Sequence, residues 1–322
     1  MNEFFFESGR PKFFLIGLLI LLILGEMLWS YRNNKNLYHW RDTLTNILIF
    51  AGFQFSKLLF FSFELAIGAF FSKYALFQLQ KNAWVFVLCF ILVDFIYYWY
   101  HRFSHKVKFL WAFHLIHHSS LYMNLTVSYR LNWFSVILTP LFYAPLLLLG
   151  FPIEFVLFSL AFNLVYQFFL HTEAVGKLGF LERIFATPSA HRVHHGSNHE
   201  YIDKNFGGFL IIWDFLFGTY TPENSKARYG TTDGFISNNP LYLNIKGFID
   251  LAKNKMNYKC WSFTCRFFSF IYLITIKRFF CFYIWINFKI THYELQIKKP
   301  IPAFLFFQPY SFSRSDSLWR WR

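Results

Sequence analysis

The chain has 322 residues with 31 Lys+Arg against 17 Asp+Glu, so charged positions make up 15% where a soluble domain carries about 25%. With 56% apolar residues, 48 Phe, 19 Tyr and 11 Trp, the composition excludes disordered, collagenous and disulfide-stapled secreted classes and points to a lipid-embedded unit. The net charge of +14 calls for a location before a partner, and its distribution speaks against nucleic acid, as shown below.

The first apolar run, residues 13–29, approaches the roughly 20 residues that a bilayer crossing takes. Arg10 and Lys12 precede it as in a signal peptide, but no small-residue cleavage site follows, so an uncleaved anchor is expected. Residues 44–71 are apolar with Lys57 and Glu64 inside, which leaves one tilted helix and a short hairpin both open. Residues 83–100 make a cleaner span closed by Tyr97, Tyr98, Trp99 and Tyr100, an aromatic cluster of the kind enriched at membrane interfaces. Residues 133–149 and 153–170 are a pair broken at Gly150 and Pro152, read as a helical hairpin that dips in and returns to the same side. Residues 210–217, apolar with Trp213 and Asp214, read as an interfacial packing helix.

Most of the basicity lies at the far end. Residues 251–322 hold 12 Lys+Arg against 2 Asp+Glu, mixed with Phe-rich runs, and read as a membrane-surface tail or an aberrant extension. Three of the four cysteines, Cys260, Cys265 and Cys281, are in this stretch, and with Cys89 they form no CxxC pair, so no zinc ribbon or redox motif is supported. If residues 44–71 cross once, Arg32, Lys35, Arg41, Arg102, Lys106, Lys108 and Arg130 share one side, which the positive-inside rule makes cytosolic.

Chemistry gathers in the histidines. His101 and His105 in HRFSH are spaced i, i+4; His114, His117 and His118 in HLIHH are spaced i, i+3, i+4; His191, His194 and His195 in HRVHH repeat that pattern. Such spacing puts side chains on one face of a helix. Neutral imidazole is a metal ligand, and eight or nine of them exceed the four that close a zinc site, which argues for two ions. HRFSH lacks the glutamate of a zinc-peptidase HExxH, and the Glu-x-x-His ligands of soluble di-iron bundles are absent. Together these observations predict an all-α, polytopic integral membrane helical bundle with a histidine-rich dimetal site on the cytosolic face.

The motifs HRFSH, HLIHHSS and TPSAHRVHHGSNHEYIDKNFGG, in that order across residues 94–232, resemble the fatty acid hydroxylase and sterol desaturase superfamily. HHSSLYMNLT, NLVYQFFLHTE and DKNFGGFLIIWDFLFGTY look most like its alkylglycerol monooxygenase branch. The resemblance implies a non-haem di-iron enzyme of the endoplasmic reticulum or bacterial inner membrane that hydroxylates or desaturates a lipid C–H position. It divides the chain into N-terminal anchor spans (1–82), a fatty acid hydroxylase-type domain (83–258) and the basic tail (259–322). The implied ligands are His101, His105, His114, His117, His118, His191, His194 and His195, with His171 as the ninth, since Asn163, Gln167 and His171 share one helical face.

Behind the ligands stand further candidates. Asp94 and Tyr98 share a helix face with His101 and would orient an imidazole or bond helix to helix. Asp203 and Asn205 would hold histidines in place, while Gly207 and Gly208 allow close backbone approach. His199 reads as a surface residue, and His39 and His292 as isolated ones. Lys106 replaces the acidic residue that follows the first box in the alkylglycerol branch, which speaks against carrying over a tetrahydrobiopterin requirement. No GxGxxG, flavin or haem-attachment motif is present, so a separate electron donor is implied, alongside a lipid substrate and no nucleic acid. The competing readings are a sterol or carotenoid hydroxylase or desaturase, a membrane metal-binding or transport protein and an inactive structural homologue.

Overall fold

Three helices, α1 (Arg10–Arg32), α2 (Trp40–Lys73) and α3 (Ala83–Lys106), are long and apolar enough to cross a membrane. The structure is a computed structural model that describes residues 10–253, so the tail over 259–322, with Cys260, Cys265, Cys281 and His292, lies outside the described residues. Large apolar side chains such as Phe14, Leu21, Phe55, Leu58 and Trp84 stand exposed on these helices, as on surfaces meant for lipid rather than water.

Residues 44–71 belong to one continuous helix, not a hairpin. With 34 residues, α2 is about 51 Å long, well beyond a hydrocarbon core of about 30 Å. Apart from Gly68, its buried residues all sit near its start, at Asp42, Thr45, Asn46 and Ile49, so one end is packed in protein and the rest is largely bare.

The expected short pair is also present, as α5 (Ser135–Leu148) and α6 (Ile153–Phe168). Their 14 and 16 residues amount to about 21 and 24 Å, each too short to cross alone. Between them Gly150 takes φ 87°, and Pro152 sets the start of α6. The α2–α3 connection clasps this turn, with the Leu76 amide bonded to the Leu148 carbonyl at 2.7 Å and the Leu79 amide to the Gly150 carbonyl at 3.3 Å. Asn82 caps α3 by accepting from the Val85 amide. Beneath the cap, Cys89 and Val93 of α3 pack with Tyr143, Leu146 and Leu147 of α5 and with Phe151 and Val156.

The remaining elements are short: α4 (Lys108–His114), α7 (Pro188–His194), α8 (Ile212–Leu216) and α9 (Pro240–Ala252). Thr187 caps α7, and Pro188 occupies its first turn, where a missing amide costs nothing. The run 210–217 is not one helix: Leu210 forms an isolated antiparallel bridge with Phe185, and only Ile212–Leu216 coils. Among the described residues the fold is thus helical, with no named strand.

A Cβ at Gly150 would lie 2.0 Å from the Phe77 carbonyl oxygen, in a backbone conformation L-residues avoid. Gly150→Ala is expected to destabilise the chain by more than about 1 kcal/mol, read as a lower unfolding midpoint in detergent. Gly17→Ala, where a Cβ meets nothing within 4 Å, should leave the midpoint unchanged or raised.

Candidate metal centre

HRFSH forms the last turns of α3, and its i, i+4 spacing stacks His101 above His105 on one face. HLIHH does not stay helical: α4 ends at His114, and His117–Ser119 form a separate 3-10 turn. HRVHH ends α7 at His194, with His195 as its C-cap. His171 follows the end of α6, its Nδ1 donating to the Gln167 carbonyl at 2.8 Å.

Nine imidazoles thereby converge as two groups, each able to hold a metal ion. His101, His105, His114, His118 and His194 make one, and His117, His171, His191 and His195 the other; within each, the donor atoms lie within 4.8 Å of one another. The i, i+4 pairs stay together, while the i+3 residues cross over: His117 leaves its neighbours for the four-histidine group, and His194 leaves its own for the five. Consecutive residues on a helix diverge by about 100°, so His117 and His118, or His194 and His195, aim at different points. The groups abut, with the His118 and His195 rings stacked at 4.5 Å between centroids.

The nitrogen spacings suit a coordination shell. Nε2 of His114 lies 3.1 Å from Nε2 of both His101 and His118; in the other group His171 is 3.0 Å from His191 and 3.3 Å from His117, and His191 is 3.1 Å from His195. Ligands about 2.1 Å from a metal sit about 3.0 Å apart in an octahedron and about 3.4 Å apart in a tetrahedron. Two orphaned atoms sharpen the point: the Nε2 atoms of His105 and His194 are buried without a hydrogen-bond partner. A cation among such lone pairs satisfies them, so the residues fit a metal, and an all-imidazole set suits iron as well as zinc.

Backbone carbonyls set the tautomers. Phe206 O accepts from His101 Nδ1 at 2.8 Å and Lys204 O from His194 Nδ1 at 3.0 Å, as Gln167 O does for His171, which leaves Nε2 bare in each neutral ring. Burial, then crowding by neighbouring imidazoles, holds His114, His117, His118, His191 and His195 well below the ordinary value near 6.5. Burial lowers His194 likewise and takes His171 down to about 4.

The supporting residues are placed less directly than their spacing suggests. Asp94 accepts from Asn163 Nδ2 (2.8 Å), the Phe209 and Leu210 amides (2.8 and 3.0 Å) and Trp213 Nε1 (2.9 Å), so it clamps the 209–213 turn onto α3 instead of orienting an imidazole. Tyr98 bonds Thr219 Oγ1 at 2.9 Å and accepts from Arg102 at 3.0 Å. The Gln167 side chain bonds Asn163 and accepts from the Tyr97 hydroxyl; its carbonyl, not its amide group, meets His171. Asp203 pairs with Lys106 and faces His105 Nδ1 at 3.7 Å. Asn205 donates to the carbonyls of Ala190 and Thr221, binding α7 to the irregular segment around Thr221. A Cβ on Gly208 would meet the Tyr97 ring at 2.6 Å, the close approach expected there. His199 and His39 are exposed and outside both groups.

Several buried charges support the site without any spacing signature in the sequence. Arg130, fully enclosed, reaches Asp42 Oδ1, Asn46 Oδ1 and Ser119 Oγ at 2.5, 2.6 and 2.7 Å, tying α2 to the turn that carries His117 and His118. Asp214 accepts from the Phe206 and Gly207 amides at 2.8 and 2.7 Å, fixing the carbonyl that His101 uses; burial raises its carboxyl to about 6. Arg192 grips Glu223 with two bonds, at 2.8 and 2.7 Å. Asp42 and Glu26, charged groups beside or within apolar spans, carried the same warning signal as Asp94.

Residues 86–219 match the family Fatty acid hydroxylase, a segment that contains all nine histidines. The chain is 51% identical over 151 residues to an alkylglycerol monooxygenase of Danio rerio, covering 47% of this chain and 34% of that protein. It is 44% identical over 193 residues to an alkylglycerol monooxygenase of Homo sapiens, covering 59% and 43%. An ornithine lipid hydroxylase of Rhizobium tropici is 28% identical over 227 residues, 68% of each chain. The chain thus spans less than half the length of these two alkylglycerol monooxygenases. No solved structure matches it.

Asp94→Asn would set an amide NH2 against donors, stranding at least one of four N–H groups at about 1–3 kcal/mol each. A clearly lower unfolding midpoint is expected, larger than for Asp203→Asn. A second expectation concerns pH. The buried imidazoles stay neutral in the fold but titrate near 6.5 when unfolded, so below that pH the unfolded chain binds more protons. Stability present above 6.5 is therefore lost as pH falls toward 4, and calorimetry of the metal-free protein should show a midpoint declining from about pH 7 to 5.

Proposed function

We propose that this chain, whose residues 86–219 belong to the Fatty acid hydroxylase family in its alkylglycerol monooxygenase branch, is a membrane di-iron monooxygenase that hydroxylates a lipid C–H bond with dioxygen. Its substrate class is an ether lipid of the alkylglycerol kind. The observation that carries the reading is the pair of buried, all-nitrogen histidine groups inside the matched segment. His101, His105, His114, His118 and His194 would hold one iron, and His117, His171, His191 and His195 the other. Bound iron would supply what no side chain can, an oxidant able to attack an unactivated carbon.

The chain's own contribution is positioning and exclusion of water. The carbonyls of Phe206, Lys204 and Gln167 hold three rings with their bare nitrogens inward, and burial keeps the imidazoles unprotonated and available. The apolar surfaces of α1 to α3 fit a substrate that stays in the bilayer. Lys106 is engaged by Asp203 beside His105, where the alkylglycerol branch carries an acid, so electrons are read as coming from a separate donor, with tetrahydrobiopterin the disfavoured choice. The positive-inside rule, applied to Arg32, Lys35, Arg41, Arg102, Lys106, Lys108 and Arg130, supports a centre at the cytosolic face, and the membrane is read as the endoplasmic reticulum or a bacterial inner membrane. The domain reading follows: anchor spans over 1–82, catalytic region over 83–258 and tail over 259–322. Metal transport is disfavoured because the histidines gather in one place instead of being distributed along the spans.

The purified chain is expected to carry about two irons, counted by elemental analysis and identified by Mössbauer spectroscopy. His118→Ala and His195→Ala should each lose metal and lower turnover of an alkylglycerol by more than the roughly 10- to 100-fold typical of groups behind a ligand. Stoichiometric zinc from iron-replete cells, or oxidation of a sterol or carotenoid but no ether lipid, would count against the proposal.

A further inference from the structure

Glu26 lies in α1, a helix largely open to its surroundings, yet its carboxylate is buried. It accepts three hydrogen bonds: from the Tyr38 hydroxyl at 2.5 Å, the Leu125 amide at 2.8 Å and the Thr172 hydroxyl. An ionisable group in an apolar span is costly, and a helix serving only as an anchor would be better served by leucine there. The donors show where the carboxylate acts. Thr172 directly follows His171, and its carbonyl accepts from Arg192 Nη1 at 2.9 Å. Arg192 directly follows His191, and it is held in turn by Glu223 and by the Val175 carbonyl at 2.7 Å. His171 and His191 are the two rings of the four-histidine group whose Nε2 atoms lie 3.0 Å apart.

We infer that Glu26 is a positioning residue for the four-histidine group: by fixing Thr172 from one side while Arg192 fixes it from the other, it sets the separation of His171 and His191. The inference deepens the metal reading above and rests on it for the purpose of that separation. Glu26 lies outside the family-matched segment, so the first helix is part of the site's framework as well as an anchor. The effect is selective, because His101 and His194 of the other group are held through Phe206 and Lys204 and share no bond with this chain of contacts. The chemistry also separates two variants. In Glu26→Gln the amide oxygen can accept from Tyr38 and Leu125 while its NH2 turns to Thr172 Oγ1, which has lone pairs to receive it. Glu26→Leu retains the volume and loses all three bonds.

The test labels the full-length chain in detergent, stripped of metal, with diethyl pyrocarbonate and reads each histidine by mass spectrometry. Metal affinity is then measured on the same samples with ferrous iron. Glu26→Leu should raise labelling of His171 and His191 severalfold, leave His101 and His114 as in the wild type, and weaken binding of one of two ions by about 10- to 100-fold. Glu26→Gln should behave as wild type, and Thr172→Val, which loses the bond to Glu26 together with the one that Thr172 Oγ1 accepts from the Ala174 amide at 2.9 Å, should reproduce the selective pattern. Unchanged labelling in Glu26→Leu and Thr172→Val, or a uniform rise at all nine histidines, overturns the inference. A wild-type chain that binds fewer than two ions would fail the metal reading alone, because the labelling is read without metal and decides the role of Glu26 by itself.

Discussion

Nine neutral imidazoles crowded together, eight of them buried and His114 partly so, are the constraint on which the rest of the molecule depends. Each ring has two nitrogens, and a neutral ring can donate from only one of them. Where a carbonyl takes the Nδ1 proton, as at His101, His171 and His194, the other nitrogen can only accept, and it faces nitrogens in the same condition. Such a cluster repels protons by desolvation and offers lone pairs with nothing to bind them except a cation.

The framework that bears this cluster is ionic and amide-based more than it is oily. α7 has seven residues and α8 five, too short to hold shape through their own hydrogen bonds. They and the His117–Ser119 turn are held by buried carboxylates and guanidiniums: Arg192 on Glu223 for α7, Asp94 and Asp214 on the amides around α8, and Arg130 on Asp42 for the turn. A buried charge is tolerable only when its partners are complete, and here each acid or base meets several. The long helices supply the donors and acceptors from their buried ends, which accounts for the uneven burial of α2.

The helical class, the short paired helices and the eight box histidines could be read from residue order, because each rests on local spacing: apolar runs of membrane length, the Gly150–Pro152 break, the three boxes. His171, outside the boxes, came through the family resemblance and the face it shares with Asn163 and Gln167. The continuity of α2 could not, since Lys57 and Glu64 fit a kinked hairpin as well as a straight helix. Nor could the partition of the histidines. Spacing places His114, His117 and His118 near one another but does not say that the second leaves the other two. The groups that orient the rings are hidden for a different reason: the carbonyls of Phe206, Lys204 and Gln167 exist at every position and carry no side-chain signature. Asp94 stands out in the sequence as an unusual charge in a span, yet what it clamps lies 115 residues onward at Phe209, a distance no periodicity reports.

The exchange of His117 and His194 between the two groups has a bearing on inheritance. Neither cage is encoded by a contiguous stretch: a gene fragment bearing the second or third box would deliver pieces of both cages, one bearing the first box pieces of the five-histidine cage alone, and none would complete a cage. The centre can therefore be copied, grafted or designed only as a pair, with the connecting polypeptide that brings distant boxes face to face.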